Sequence, residues 1–298
     1  DVHAGIENFN DYKDGSNDIR GRTNKDGIFS AEGMGRPQAM VVASHEGYYA
    51  SRKDYRDWEN IEETRKTGKY IPWDPVIELT LKKIVNPIPM LVWIGDSIQT
   101  SPIPEKAAGF DLFEGDWVAP HGKGETSDLL INLSLERQDN VAGAVKGEIR
   151  FGNKDDGLIP IMALSATESR LKYPRVAPED GYEIKVVNPP YTMPLSGGEV
   201  EALEPVGYFF RVRTQKDQAT GKVISAFYGK IVARSETRHA SENPFQLHRY
   251  SFTRDGRKLE PGVRFNYYLN PTANDRNLEY DQRTNLAPGA DIGAVYLP

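Results

Sequence analysis

Residues 23–51, TNKDGIFSAEGMGRPQAMVVASHEGYYAS, decide how this chain is read. Asn24-Lys25-Asp26-Gly27 predicts a tight turn, because Asn, Asp and Gly tolerate the positive φ that hairpin turns demand. Ile28-Phe29-Ser30 follows as a short strand, and Gly33 to Pro37 as a loop. Ala39 to Ser44 (AMVVAS) is an apolar, partly β-branched run with the length of one buried strand. His45-Glu46-Gly47-Tyr48-Tyr49 closes it with a glycine turn and two aromatic residues.

This order of turn, strand ending in Phe-Ser, glycine loop, apolar strand and Gly-Tyr-Tyr resembles the carboxypeptidase regulatory-like module. The resemblance covers about a tenth of the chain. It implies a small transthyretin-like β-sandwich and a secreted or surface setting, and no reaction, since sandwiches host many functions. Trp73 to Met90 (WDPVIELTLKKIVNPIPM) is similar to uncharacterised bacterial exported proteins that pair this module with a second β domain.

Working outward, Asp1 to Gly5 is expected to be the tail of a strand whose earlier part is missing, and 7–22 a polar surface loop. A sandwich short of that strand would carry an open edge, and open edges recruit strands. The segment Ile292 to Leu297, within a polar tail from Asn270 to Pro298, is apolar and β-prone enough to fill it. Supplied by the same chain, it would leave a monomer; supplied from a neighbour, it would build a head-to-tail filament. Ser51 to Lys69 is the best helix candidate, with Tyr55, Trp58 and Ile61 at helical spacing and Gly68 as a stop. Val76 to Val85 alternates like a half-buried strand.

Asn86-Pro87-Ile88-Pro89 marks the boundary between a first domain, 1–88, and a second, 89–298. The second is expected to be β almost throughout. Its clearest strands are Leu129 to Leu135 and the hairpin of Gly207 to Thr214 with Lys222 to Val232. The fold class is therefore all-β: a transthyretin-like sandwich, a larger antiparallel β domain and one short helix. With 27 Gly and 20 Pro the chain suits many short strands joined by turns.

The 298 residues carry 37 basic and 43 acidic side chains, a net charge of −6. There is no basic cluster, which argues against nucleic acid and anionic membrane as partners. No run of 18 apolar residues is present, hence no membrane span is expected. Cysteine is absent, which excludes disulfides, thiolate metal sites and cysteine nucleophiles. A start at Asp1 suggests a signal peptide already removed, and a secreted, periplasmic or cell-surface location.

Four chemical readings follow. Trp93-Ile94-Gly95-Asp96-Ser97-Ile98 resembles the opening block of the GDSL esterases, which implies Ser97 as nucleophile and, in Glu236-Thr-Arg-His239, His239 as base. The blocks that build that family's oxyanion hole do not follow in order, so no catalytic residue is assigned. The turn after an apolar strand explains the three residues equally well. Asp11, Asp14, Asn17 and Asp18 place four oxygen donors within eight residues, and Ca²⁺ is the cation such a loop would take. Asn153, Asp155 and Asp156 form a weaker copy. The five histidines (His3, His45, His121, His239, His248) show no zinc spacing. Trp58, Trp73 and Trp117 sit in polar or turn-rich contexts, as sugar-binding platforms do, although aromatics that cover a sandwich edge look the same in sequence. The leading expectation is a non-enzymatic extracellular or cell-surface protein that binds protein partners or itself. A secreted module for polysaccharide comes next, and a serine esterase third.

Overall fold

The computed structural model describes residues 1–7, 16–32, 38–56, 61–67, 74–94, 98–136, 144–164, 168–189, 205–233, 243–252 and 258–287. The chain is all-β, with antiparallel sheets and a single short helix among the described residues, Ile61–Thr67. It divides into two units, one of Asp1–Val85 with Ser165–Tyr173, the other essentially Asn86–Leu164 with Pro174–Leu297.

The first unit is built on a four-stranded antiparallel sheet in the order Ser16–Gly21, Val2–Glu7, Gln38–Ala43, Ser51–Arg56. Val2–Glu7 is thus an interior strand, with Val2 opposite Gly21 on one side and Ala43 on the other. The expected stub and its open edge are not there. The partner that sequence missed is Ser16–Gly21 (SNDIRG), polar at nearly every position, so no apolar alternation announces it. Among the described residues this strand pairs on one side only.

Two other expectations are corrected here. Ile28 to Ser30 is irregular, because Asn24 gathers the turn: its Oδ1 accepts from the amides of Asp26 and Ile28, both at 2.9 Å, and Ile28 remains 60% exposed. Gly27 adopts φ of +79° in that turn, as the Asp-Gly pair requires. The long helix is replaced by the strand Ser51–Arg56 and the seven-residue helix. After the turn at Gly47 the chain runs back along Gln38–Ala43, with Ala43 opposite Ser51 and Gln38 opposite Arg56. Sheet pairing overrides helical propensity there. Val76 to Leu81 keeps its alternation, Val76, Glu78 and Thr80 exposed and Ile77, Leu79 and Leu81 half-buried, yet ladder pairing is confined to Lys82–Lys83 against Tyr48–Tyr49.

The second unit holds the main core, between two sheets. One has five strands, in the order Asp116–Trp117, Ala107–Asp111, Leu129–Leu135, Val145–Phe151, Val186–Val187. Leu129, Ile131 and Leu133 point inward while Leu130 and Asn132 are less buried, the period of two that the sequence shows. The other sheet runs Gly157–Ile161, Gly207–Lys216, Val223–Val232, Lys258–Leu269, Ile88–Trp93, Tyr280–Asn285. Phe110, Leu129 and Ile131 of the first meet Phe210, Phe245, Phe265 and Tyr267 on the strands facing them. Phe110 alone makes edge-on contacts with Trp117 and Phe265, each with centroids 5.5 Å apart.

The described part of the tail, 270–287, contributes a strand to the second unit. Tyr280–Asn285 lies parallel to Ile88–Trp93, within the second unit. Ile88 is opposite Tyr280 and Met90 opposite Asn285, so the ladder is irregular around Pro89. A proline fits a strand at such an irregularity because no amide is demanded of it. Ile292 to Leu297 falls outside the described residues.

Candidate functional site

Three aspartates that terminate or precede strands converge in the second unit. Asp111 ends Ala107–Asp111, Asp128 precedes Leu129–Leu135, and Asp156 precedes Gly157–Ile161. All three are buried. They meet Arg213, at the point where the ladder between Gly207–Lys216 and Val223–Val232 slips between Val212 and Gln215.

Arg213 Nε donates to Asp128 Oδ1 at 2.9 Å, and Nη2 donates to Asp111 Oδ1 at 2.7 Å and Asp128 Oδ2 at 3.0 Å. Its guanidinium also lies 4.0 Å from the centroid of the Phe113 ring. The amides of Arg213 and Thr214 donate to Asp156 at 3.0 and 2.9 Å. With backbone and side chain both anchored, Arg213 is held at φ of +52°, a region that bulges and strained sites use.

Each carboxylate is engaged by backbone as well. Asp111 accepts the amides of Phe113, Glu114, Glu125 and Thr126, thereby folding both ends of the loop 112–126 onto one side chain. Asp128 Oδ2 accepts from Leu112, whose carbonyl takes the Tyr267 hydroxyl at 2.8 Å. Burial works to raise the Asp111 carboxyl, but the amides of Thr126, Glu125 and Phe113, with Arg213, outweigh it and hold the group below the usual carboxylate range. Burial dominates at Asp128 and Asp156 and pushes both carboxyls up, against Arg213 at Asp128 and against the Thr214 and Arg213 amides at Asp156.

This cluster is a clasp. Its oxygen atoms face donors of the protein, and its chemistry is to fix two loops to a bulged strand. The same holds for the weaker calcium candidate. Asn153 Oδ1 takes the Asp155 amide and Nδ2 donates to the Thr214 carbonyl, while Asp155 pairs with Lys216 at 3.0 Å. Those side chains strap the loop 152–156 to the same bulge. Gly152 seals the strap: a Cβ there would stand 1.9 Å from the Ser127 carbonyl oxygen, next to Asp128. Gly152→Ala must therefore push backbone against backbone, and a loss at or above the upper end of the roughly 1–3 kcal/mol typical of overpacking is expected. A denaturant midpoint indistinguishable from wild type would refute that.

A second buried group lies on Val223–Val232, the strand paired with the one that carries Arg213. Lys230 is completely buried, donates from Nζ to the Leu278 carbonyl at 3.0 Å, and lies 5.3 Å from the Tyr268 ring centroid. Burial drives its amine down to about 7, with Glu279 pulling the other way. Glu279, 1% exposed, accepts the Asn86 amide at 2.8 Å and lies 3.3 Å from Arg175.

Of the residues singled out from sequence, Asp11, Asp14, Trp58, Trp73, Ser97 and His239 fall outside the described residues. Asn17 and Asp18 belong to the edge strand, opposite Ile6 and Gly5. Trp117, a candidate platform for sugar, is 6% exposed and packs on Phe110, so its ring serves the core. His45 and His121 are exposed and far apart in sequence, and His248 lies within the strand Phe245–Phe252. Among the described residues no three His, Asp or Glu side chains gather as a metal-holding group. No helix among them is long and apolar enough to cross a membrane. Of the clasp only Asp156 was singled out from sequence, as part of a calcium candidate; Asp111, Asp128, Arg213 and Lys230 were not. The one local signal was the position of Asp128 and Asp156 immediately before apolar strands.

No protein-family model, no curated protein and no solved structure matches the chain.

Proposed function

We propose that this chain is a non-enzymatic interaction or structural protein of a secreted or cell-surface setting, which binds protein partners or copies of itself through sheet edges and loops. The observation that carries this reading is the strand Ser16–Gly21, which pairs with Val2–Glu7 alone among the described residues. An edge of that kind presents a row of amides and carbonyls to an incoming strand. The clasp points the same way, since its carboxylates are committed to holding loops. The absence of cysteine is compatible with an exported bacterial protein.

Light scattering across a concentration series tests self-association of the full chain. Growth of the mass with concentration is the expected result, and a monomer at every concentration removes the self-assembling form of the proposal. Two other assays can replace the reading altogether. Specific retention on a glycan array would make the chain a polysaccharide-binding module. Hydrolysis of a short-chain nitrophenyl ester, abolished by Ser97→Ala, would make it an esterase.

A further inference from the structure

Lys230 is the most deeply buried amine among the described residues. In the ladder between Val223–Val232 and Lys258–Leu269, Lys230 is opposite Tyr268 and Val232 is opposite Asn266. Side chains two residues apart on a strand share a face, so Lys230 and Asn266 are diagonal neighbours on one face of one strand pair. Diagonal neighbours stand about 7–8 Å apart at the backbone, within reach of a long side chain. Both are withdrawn from water, Lys230 at 0% and Asn266 at 4% exposure. Tyr268 and Tyr280, with ring centroids 5.6 Å apart and both almost fully buried, supply aromatic cover beside them. The bond from Lys230 Nζ to the Leu278 carbonyl brings in the adjacent Glu279, whose carboxylate is fixed by the Asn86 amide and by Arg175.

We propose that Lys230 and Asn266 are joined by an intramolecular amide bond, formed without an enzyme, with the buried Glu279 as the proton carrier. The lone pair of Lys230 Nζ attacks Asn266 Cγ, and the bond Nζ–Cγ forms. Glu279 takes a proton from Nζ and delivers it to Asn266 Nδ2. The bond Cγ–Nδ2 breaks, and Nδ2 departs as ammonia. Atoms and charge balance without an oxidant, a metal or any co-reactant. The amine must be neutral to attack, which is the form that burial favours for Lys230. Exclusion of water protects the intermediate from hydrolysis. The bond would tie together two adjacent strands of the larger sheet, a covalent staple in a chain that has no cysteine with which to make a disulfide. This inference is independent of how the edge strand Ser16–Gly21 is used.

The test is the mass of the purified full chain under denaturing conditions, followed by peptide mapping. The expected result is a chain lighter than its sequence by one ammonia, with Lys230 and Asn266 recovered in one branched peptide joined through Nζ and Cγ. A chain at the full sequence mass overturns the proposal. So does an ammonia lost elsewhere, as a succinimide or as a link to another residue. Asn266→Ala and Glu279→Gln are each expected to restore the full mass. Ammonia loss persisting in Asn266→Ala overturns the acceptor, and persisting in Glu279→Gln overturns the proton carrier. The wild-type chain by itself decides whether the bond exists, so the test still succeeds if a variant fails to fold.

Discussion

Arg213→Ala is expected to cost the second unit on the order of 3–5 kcal/mol at neutral pH, the range seen when one partner of a buried ion pair is removed. The substitution strands Asp111 and Asp128, whose side chains are only 3% and 1% exposed, each having lost its cation. It also removes the side-chain half of the anchoring that holds a φ of +52°, leaving the amide bonds to Asp156 to maintain it alone. Arg213→Lys should recover part of the loss and no more. A single ammonium can match the charge, but it cannot send Nε to one oxygen and Nη2 to two others. The penalty should shrink as the pH falls, because protonation of the stranded carboxyls removes the charge that burial penalises. In the wild type the signs differ by residue. Asp111 is held below 3.8, so its contribution is present above 3.8 and is lost as the pH falls through its folded value. Asp128 and Asp156 are held above 3.8 and act in the opposite sense above that value. Denaturant midpoints at two pH values measure both effects, with an unchanged slope as the check on two-state unfolding. A loss below about 1 kcal/mol would place Arg213 with ordinary surface pairs and defeat the clasp.

Much of the second unit is legible in its sequence because each strand carries its own signal. Leu129–Leu135 alternates cleanly, and Gly207–Lys216 with Val223–Val232 is a long apolar hairpin around a turn. These patterns are local, and local periodicity is what sequence reports. Ser16–Gly21 has no such pattern, since Ile19 is its one large apolar residue. Its place in the sheet is set by backbone bonds to Val2–Glu7, which almost any sequence can make. Ser51–Arg56 shows the converse failure. Its charged residues look helical, and the strand exists because Gln38–Ala43 is there to pair with it.

The clasp was illegible for a different reason. Asp111, Asp128, Asp156 and Arg213 are separated by up to 102 residues, and no spacing rule joins them. Before the fold is known, each aspartate is one of 43 acids, and each has the ordinary explanation of a turn residue. Lys230 was hidden by its strand. In AFYGKIVA a single lysine passes as the solvent-facing member of an alternation, and burial on both faces of the sheet is what reverses that reading.

Lys230→Met separates a linked from an unlinked lysine by sign. If Lys230 keeps its amine, burial holds it at about 7 against an ordinary 10.5, so the folded chain resists a proton that the unfolded chain accepts. Stability would then rise with pH between those two values and be lowest at and below about 7, since the unfolded state binds more protons throughout the window. Methionine, of similar length and without charge, would relieve that penalty and stabilise the protein at neutral pH, as replacement of buried charge by apolar side chains often does. A lysine already consumed in an amide has no proton to gain. Its stability profile would be flat through the same window as far as this residue is concerned. Its replacement would open a closed loop of about 36 residues, costing on the order of 4 kcal/mol in chain entropy if the staple acts as other cross-links do. The expected result is therefore a destabilised Lys230→Met and a wild type without a rise attributable to this amine above pH 7. A Lys230→Met chain that melts higher than its parent at neutral pH would show that the amine had never been linked, and would end the covalent reading.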